Sequence, residues 1–158
     1  MKNFRNRLRD QRGFNLIELM IVIAIIGLLI GVGTFGWQAM MRAGNETTAA
    51  QSLDKIRTFQ AQYAAKNKSF GSFDDLIRSV GLDEKFAGER PVVNGYTFTM
   101  VVEPASPSKP AFYSINADPQ VPDGVSATGS IHYYTDSNVS TIKSTTENRP
   151  AKPDDSSI

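Results

Sequence analysis

The sequence predicts an α+β protein in which one long N-terminal α-helix packs, through its second half, on a small antiparallel β-sheet head. Three observations lead there. Residues 14–41 form the only long apolar run in a chain of 158 residues. The apolar spacing beyond Arg42 continues at helical period. From Tyr96 onward the pattern changes to short alternating runs of β-branched and aromatic residues separated by Pro, Gly and Asp.

The N-terminal element begins with a basic segment, residues 1–13, that carries Lys2, Arg5, Arg7, Arg9 and Arg12 against Asp10. The run from Phe14 to Met41 follows. A secretory signal peptide has an apolar region of roughly 7–15 residues and then a small-residue cleavage site, so this run is too long. About 20 helical residues span the hydrocarbon core of a bilayer, so 14–41 reads as a transmembrane helix. The basic cluster before it is expected to stay cytoplasmic and the rest of the chain to lie outside. A plain single-pass anchor would satisfy this much. Two features do not suit a plain anchor. Glu18 stands one turn inside the run, where a carboxylate costs roughly 2.5–3.5 kcal/mol at mid-membrane and less near the interface. Gly13 lies at the junction of the basic and apolar segments, a flexible and unhindered position open to a protease.

"GFNLIEL", Gly13 to Leu19, resembles the processing motif of type IV prepilins and the related pseudopilins. The likeness covers about 30 N-terminal residues: a short basic leader, Gly, Phe, then Glu at the fifth place after the Gly. It implies a leader over 1–13, cleaved after Gly13 by an inner-membrane prepilin peptidase, and N-methylation of the new terminus at Phe14 by the associated methyltransferase. Asn15 departs from the Thr commonest in that family; both are small and polar, and the change is expected to be tolerated. Cleavage would create an α-amine with a reference pKa of about 8. The Glu18 carboxylate of one subunit could then neutralise the Phe14 amine of its neighbour in a filament. An unpaired member of such a pair is strongly penalised in apolar surroundings, so Glu18 would select the correct register.

Gly31-Val32-Gly33-Thr34-Phe35-Gly36 spells the dinucleotide fingerprint G-x-G-x-x-G. That motif needs a strand before it and a βαβ unit around it, and here it sits inside a membrane run. Gly27 and Gly31 instead form G-x-x-x-G, a groove for close helix packing. Gly27, Gly31, Gly33 and Gly36 also weaken the helix, each by up to about 1 kcal/mol relative to Ala. Members of the family often carry a proline hereabouts. This chain lacks it, and its glycines allow either local unwinding or simple packing.

Residues 42–66 continue the helix as an amphipathic one. Ala49, Leu53, Ile56, Phe59 and Tyr63 make one apolar stripe that is expected to pack on the sheet of the head, residues 67–145. A helix over 14–66 would be about 80 Å long at 1.5 Å per residue. Ser72 with Asp75 three residues on resembles a capping box for a short helix 73–80, closed by Gly81. Strands are expected at Tyr96–Glu103, Ala111–Ala117, Ser130–Asp136 and Val139–Lys143, the last two as a hairpin about a tight Asp136-Ser137-Asn138 turn. Residues 146–158 lack periodicity and are expected to be a mobile C-terminal tail.

The formal charge is +1, of which the first 13 residues contribute +4, leaving −3 for Phe14 onward. No nucleic-acid partner is expected from that balance. With no cysteine in the chain, disulfides and thiolate metal sites are excluded. Many type IV pilins close their C-terminal region with a disulfide, which this chain would have to replace by packing.

No enzymatic activity and no cofactor are expected. His132 is the only histidine, on a strand that alternates with tyrosines, and is read as surface-facing or hairpin-facing; G-x-S-x-G is absent. Asp118, Asp123, Asp136, Asp154 and Asp155 are loop carboxylates without EF-hand spacing, so no metal site is expected. The calcium-binding loop of the major pseudopilins has no convincing counterpart. The resemblance therefore implies a type IV pilin: a homo-oligomeric filament subunit, resident in the inner membrane until the pilus assembly machinery extracts it. A pseudopilin serving secretion, a minor or DNA-uptake pilin, and a membrane-tethered ligand-binding domain are the alternatives. Adhesion and twitching motility would be properties of the whole machine.

Overall fold

The computed structural model describes residues 13–158; the basic segment expected as the leader lies outside the described residues up to Arg12. The first element, α1, runs Leu16–Asn67. Asn15 starts it: the Asn15 carbonyl accepts from Leu19 N at 3.2 Å and its side-chain oxygen from Ile17 N at 3.3 Å. It is therefore the N-cap, relieving one of the amides that a helix start leaves unpaired. At the other end Lys68 takes φ 55°, the left-handed turn that stops a helix, and its amide donates to Ala64 O at 2.8 Å.

The chain divides into two compact units, Met1–Trp37 and Gln38–Ile158. In the first, α1 is one helix long and apolar enough to cross a membrane, by length and composition. Its large apolar side chains, from Leu16 through Ile30, are exposed.

In the second unit the remainder of α1 meets the head. Ala49, Leu53 and Ile56 of the expected stripe are buried in the core, and Phe59 and Tyr63 are partly buried against it. The short helix α2 spans Phe73–Val80 with the full capping box at Ser72 and Asp75 and a left-handed Gly81 at its end. A 3₁₀ turn, Glu84–Phe86, follows. Six strands then form one antiparallel meander in chain order: β1 Val92–Val93, β2 Tyr96–Glu103, β3 Phe112–Pro119, β4 His132–Asp136, β5 Lys143–Thr145 and β6 Ser156–Ser157. The central pairing runs from Tyr96↔Pro119 to Glu103↔Phe112. It places Tyr96, Phe98, Tyr113, Ile115 and Ala117 on the face buried with α1, α2 and Phe86.

Three expectations need correction. The sheet has two more strands than the four proposed, because β1 and β6 are only two residues long. Asn94 (φ 49°) and Gly95 (φ 74°) join β1 to β2, the two-residue turn with positive φ at both positions that suits hairpin twist. The second correction concerns the β4–β5 hairpin, which does not turn tightly at 136–138. Its register is His132↔Thr145 to Tyr134↔Lys143, with residues 137–142 as the loop. The Asp136 carboxylate caps Asn138 N at 2.7 Å and Val139 N at 2.9 Å. Arg57 then holds Ser140 O at 2.7 Å, and Ile142 turns into the core.

The third correction is the C-terminal stretch. Expected as a mobile tail, it instead pairs Ser156 and Ser157 with β5. Asn116 donates to Ala151 O at 2.9 Å, and Ala151 is buried. Arg149 grips Asp155 with two bonds, 2.9 and 2.7 Å. Hydrogen bonding to Arg149 holds the Asp155 carboxyl down at about 2. A sequence of turns and single contacts has no periodicity to read, which is why the stretch resembles a tail in the sequence.

Candidate processing and assembly site

The residues singled out in the sequence fall at and just beyond the N-terminus of α1. Gly13, Phe14 and Asn15 precede the helix in non-helical backbone. Phe14 is 87% exposed, and a Cβ built on Gly13 would meet nothing within 4 Å. The peptide between Gly13 and Phe14 is therefore in accessible, irregular chain.

With Asn15 as N-cap, Glu18 occupies the third helical position. Asn-x-x-Glu is the spelling of a capping box, although Glu18 takes no hydrogen-bond or ion-pair partner among the described residues. Its carboxylate faces the positive end of the helix dipole, which stabilises an exposed helix by about 0.3–1 kcal/mol. A plain anchor would thus gain something from Glu18, contrary to the sequence-based expectation. That gain is smaller than the penalty for a carboxylate deep in a membrane. The role of Asn15 was missed, although an Asn directly before an apolar helical run is itself a start signal.

Gly27 and Gly31 lie in the helix with open space where a Cβ would be. They leave open space on an exposed apolar helix surface. Among the described residues no hydrogen bond or ion pair joins Phe14 and Glu18.

The head offers little reactive chemistry. His132 is 5% exposed rather than on the surface, because β4 is covered on both faces, all five of its residues being buried. Its Nδ1 lies 2.6 Å from Asp118 Oδ1. Three of the other carboxylates singled out in the sequence are engaged as well, and Asp118 and Asp136 lie on β3 and β4 rather than in loops. Asp123 accepts from Asn148 and Asp136 from Tyr134 as well as the backbone amides, while Asp155 takes Arg149. Among the described residues no three His, Asp or Glu side chains gather as they would to hold a metal ion.

Comparison with known proteins bears on the same segment. Residues 8–34 match the prokaryotic N-terminal methylation motif. The type IV wide pilus major component PilA4 of Thermus thermophilus is 37% identical to the chain over 75 residues. The N-terminal segment is thus similar to that of type IV pilins. The aligned part makes up 48% of this chain and 57% of the relative, so the chain spans little more than half the length of that pilin. The long helix and antiparallel sheet form a pilin-like arrangement, and the matched motif contains Gly13, Phe14 and Glu18.

Proposed function

We propose that the chain is a structural subunit of a type IV pilus, made as a precursor. It is cleaved after Gly13, N-methylated at Phe14 and assembled through the apolar half of α1. The observation that carries this reading is an apolar helical surface, exposed from Leu16 to Ile30, with a single carboxylate in its first turn. Nothing else in that stretch is charged. Such a surface is unstable in water. Two environments suit it: a bilayer before assembly, and a bundle of identical helices after it. In the bilayer the basic leader stays cytoplasmic. In the bundle Gly27 and Gly31 admit a neighbouring helix, and Glu18 meets the amine that cleavage creates at Phe14. The pilus role of PilA4 agrees with this reading.

The test separates maturation from assembly. Glu18→Ala and Glu18→Val are expected to insert and to lose residues 1–13 normally, by intact mass, with one methyl group gained at Phe14. Filament yield after shearing is expected to collapse. An unpaired buried charge costs about 3–5 kcal/mol, which is roughly a 10²- to 5 × 10³-fold loss in the constant for subunit addition. Normal filament yield from either variant would sink the charge-pair role. An uncleaved wild-type N-terminus would sink the pilin reading altogether, in favour of a membrane-tethered domain. Recovery of the chain in a short periplasmic filament, with none on the cell surface, would point to a pseudopilin.

A further inference from the structure

The apolar run ends at Met41, and Arg42 is the first charged residue after Glu18. An Arg at the end of a membrane span keeps its charge at headgroup level while its stem lies along apolar surface. Here the Arg42 guanidinium is also tied to the head: it donates to Gly124 O, and lies 3.5 Å from Val125 O. The next turn of α1 repeats the attachment. Asn45 donates to Thr128 O at 2.9 Å, and Glu46 accepts from the Ser130 amide and hydroxyl at 2.8 and 2.9 Å. The whole β3–β4 loop, residues 120–131, is therefore pinned to the first turns of helix beyond the apolar run. Its depth relative to a membrane is set by Arg42.

The loop is built for an interface. Its backbone is paired internally, with Thr128 N on Val121 O at 2.8 Å and Ala127 N on Gly124 O at 3.3 Å. That lowers the penalty of moving it into a less polar layer. Val125 is 66% exposed, Met40 and Met41 of the same compact unit are exposed too, and so is Val121. The loop's one carboxylate, Asp123, accepts from Asn148 and Glu46 accepts from Ser130, so both are held by neutral donors while Arg42 supplies a cation bonded directly to the loop at Gly124 O. An apolar tip held to an interfacial arginine matches the headgroup layer, where the guanidinium meets lipid phosphate.

We propose that the β3–β4 loop is a second membrane contact of the unassembled subunit, with Val125 in the headgroup layer and Arg42 on lipid phosphate. The proposal rests on the reading of 14–41 as a membrane span. Because the chain has no cysteine, single variants of the full chain can each carry one fluorescent label. Val125→Cys, Ile23→Cys and Ser108→Cys, the last on the exposed β2–β3 loop, would be reconstituted in vesicles of phosphatidylethanolamine and phosphatidylglycerol. The expected result is that the label at 125 loses quenching by aqueous iodide and gains quenching by headgroup nitroxide lipid. The label at 108 should do the reverse, and that at 23 should respond only to nitroxides deeper in the acyl chains. Iodide access at 125 equal to that at 108, with 23 in lipid, would overturn the loop contact alone. Iodide access at 23 would overturn the span and the loop contact together. Protection at 125 found in sheared filaments but not in vesicles would assign the patch to a neighbouring subunit and overturn the lipid contact.

Discussion

Gln60 is fully buried on α1, yet it is a polar residue among Leu53, Ile56 and Met100. Its amide forms two bonds with one glycine: Nε2 donates to Gly71 O at 2.6 Å, and Oε1 accepts from Gly71 N at 3.1 Å. The side chain thus imitates a neighbouring strand for the linker between α1 and α2. Gly71 is itself buried, so replacing Gln60 by Leu would leave an amide and a carbonyl without partners. Each such group costs about 1–3 kcal/mol, giving about 2–6 kcal/mol for the pair. Against a urea dependence of about 2 kcal/mol per molar for a domain of this size, the lower bound moves the midpoint down by about 1 M. The measurement is urea unfolding of the full chain in detergent, followed by tyrosine fluorescence, with Gln62→Leu as the control. Gln62 lies on the same helix and is exposed, and its change should stay within about 0.5 kcal/mol. Equal midpoints for the two variants would refute the claim that Gln60 satisfies Gly71.

Other perturbations follow from the same contacts. A Cβ at Gly129 would sit 2.7 Å from Tyr96 Cζ, and Tyr96 is fully buried with its hydroxyl on Ile131 O. Gly129→Ala should therefore destabilise the head by about 1–3 kcal/mol in the same urea assay. Ser72→Ala removes one half of the α2 capping box and should cost about 1 kcal/mol, again read from the urea midpoint. Asp155 has its carboxyl depressed to about 2 by Arg149. Its contribution is thus fully present above the ordinary carboxylate range near 4 and is lost as pH falls toward 2. Amide exchange across 143–158 should quicken over that window in the wild type. In Asp155→Asn it should be fast throughout, with the acid dependence reduced.

Elements with a strong local signal were legible in advance. The helix 73–80 and the strand 96–103 have the predicted bounds, because Ser72, Gly81 and the alternation of "YTFTMVVE" act locally. The long helix was legible from its period, though its start at Leu16 depends on the cap at Asn15. The hairpin register was not legible, since it is decided by Asp136 capping its own loop and by Arg57 reaching Ser140 across 83 residues. Asn94-Gly95 carries a readable hairpin signal, but the strand before it is too short to show any alternation of its own. At the N-terminal site the residues were evident from their spacing. What spacing could not supply was the non-helical backbone at Gly13 and Phe14, and the attachment of the β3–β4 loop to Arg42, Asn45 and Glu46.

The Arg149–Asp155 grip has a consequence for how the head matures. A closure formed by an arginine fork needs no oxidant and no correct partner among several thiols. A loop of this length opens and recloses far faster than disulfides form or exchange, which takes seconds to hours. With no thiol anywhere in the chain, the redox state of its surroundings neither helps nor hinders its C-terminus. The closure of the head's C-terminus is therefore the same reaction in an oxidising compartment and in a reducing one.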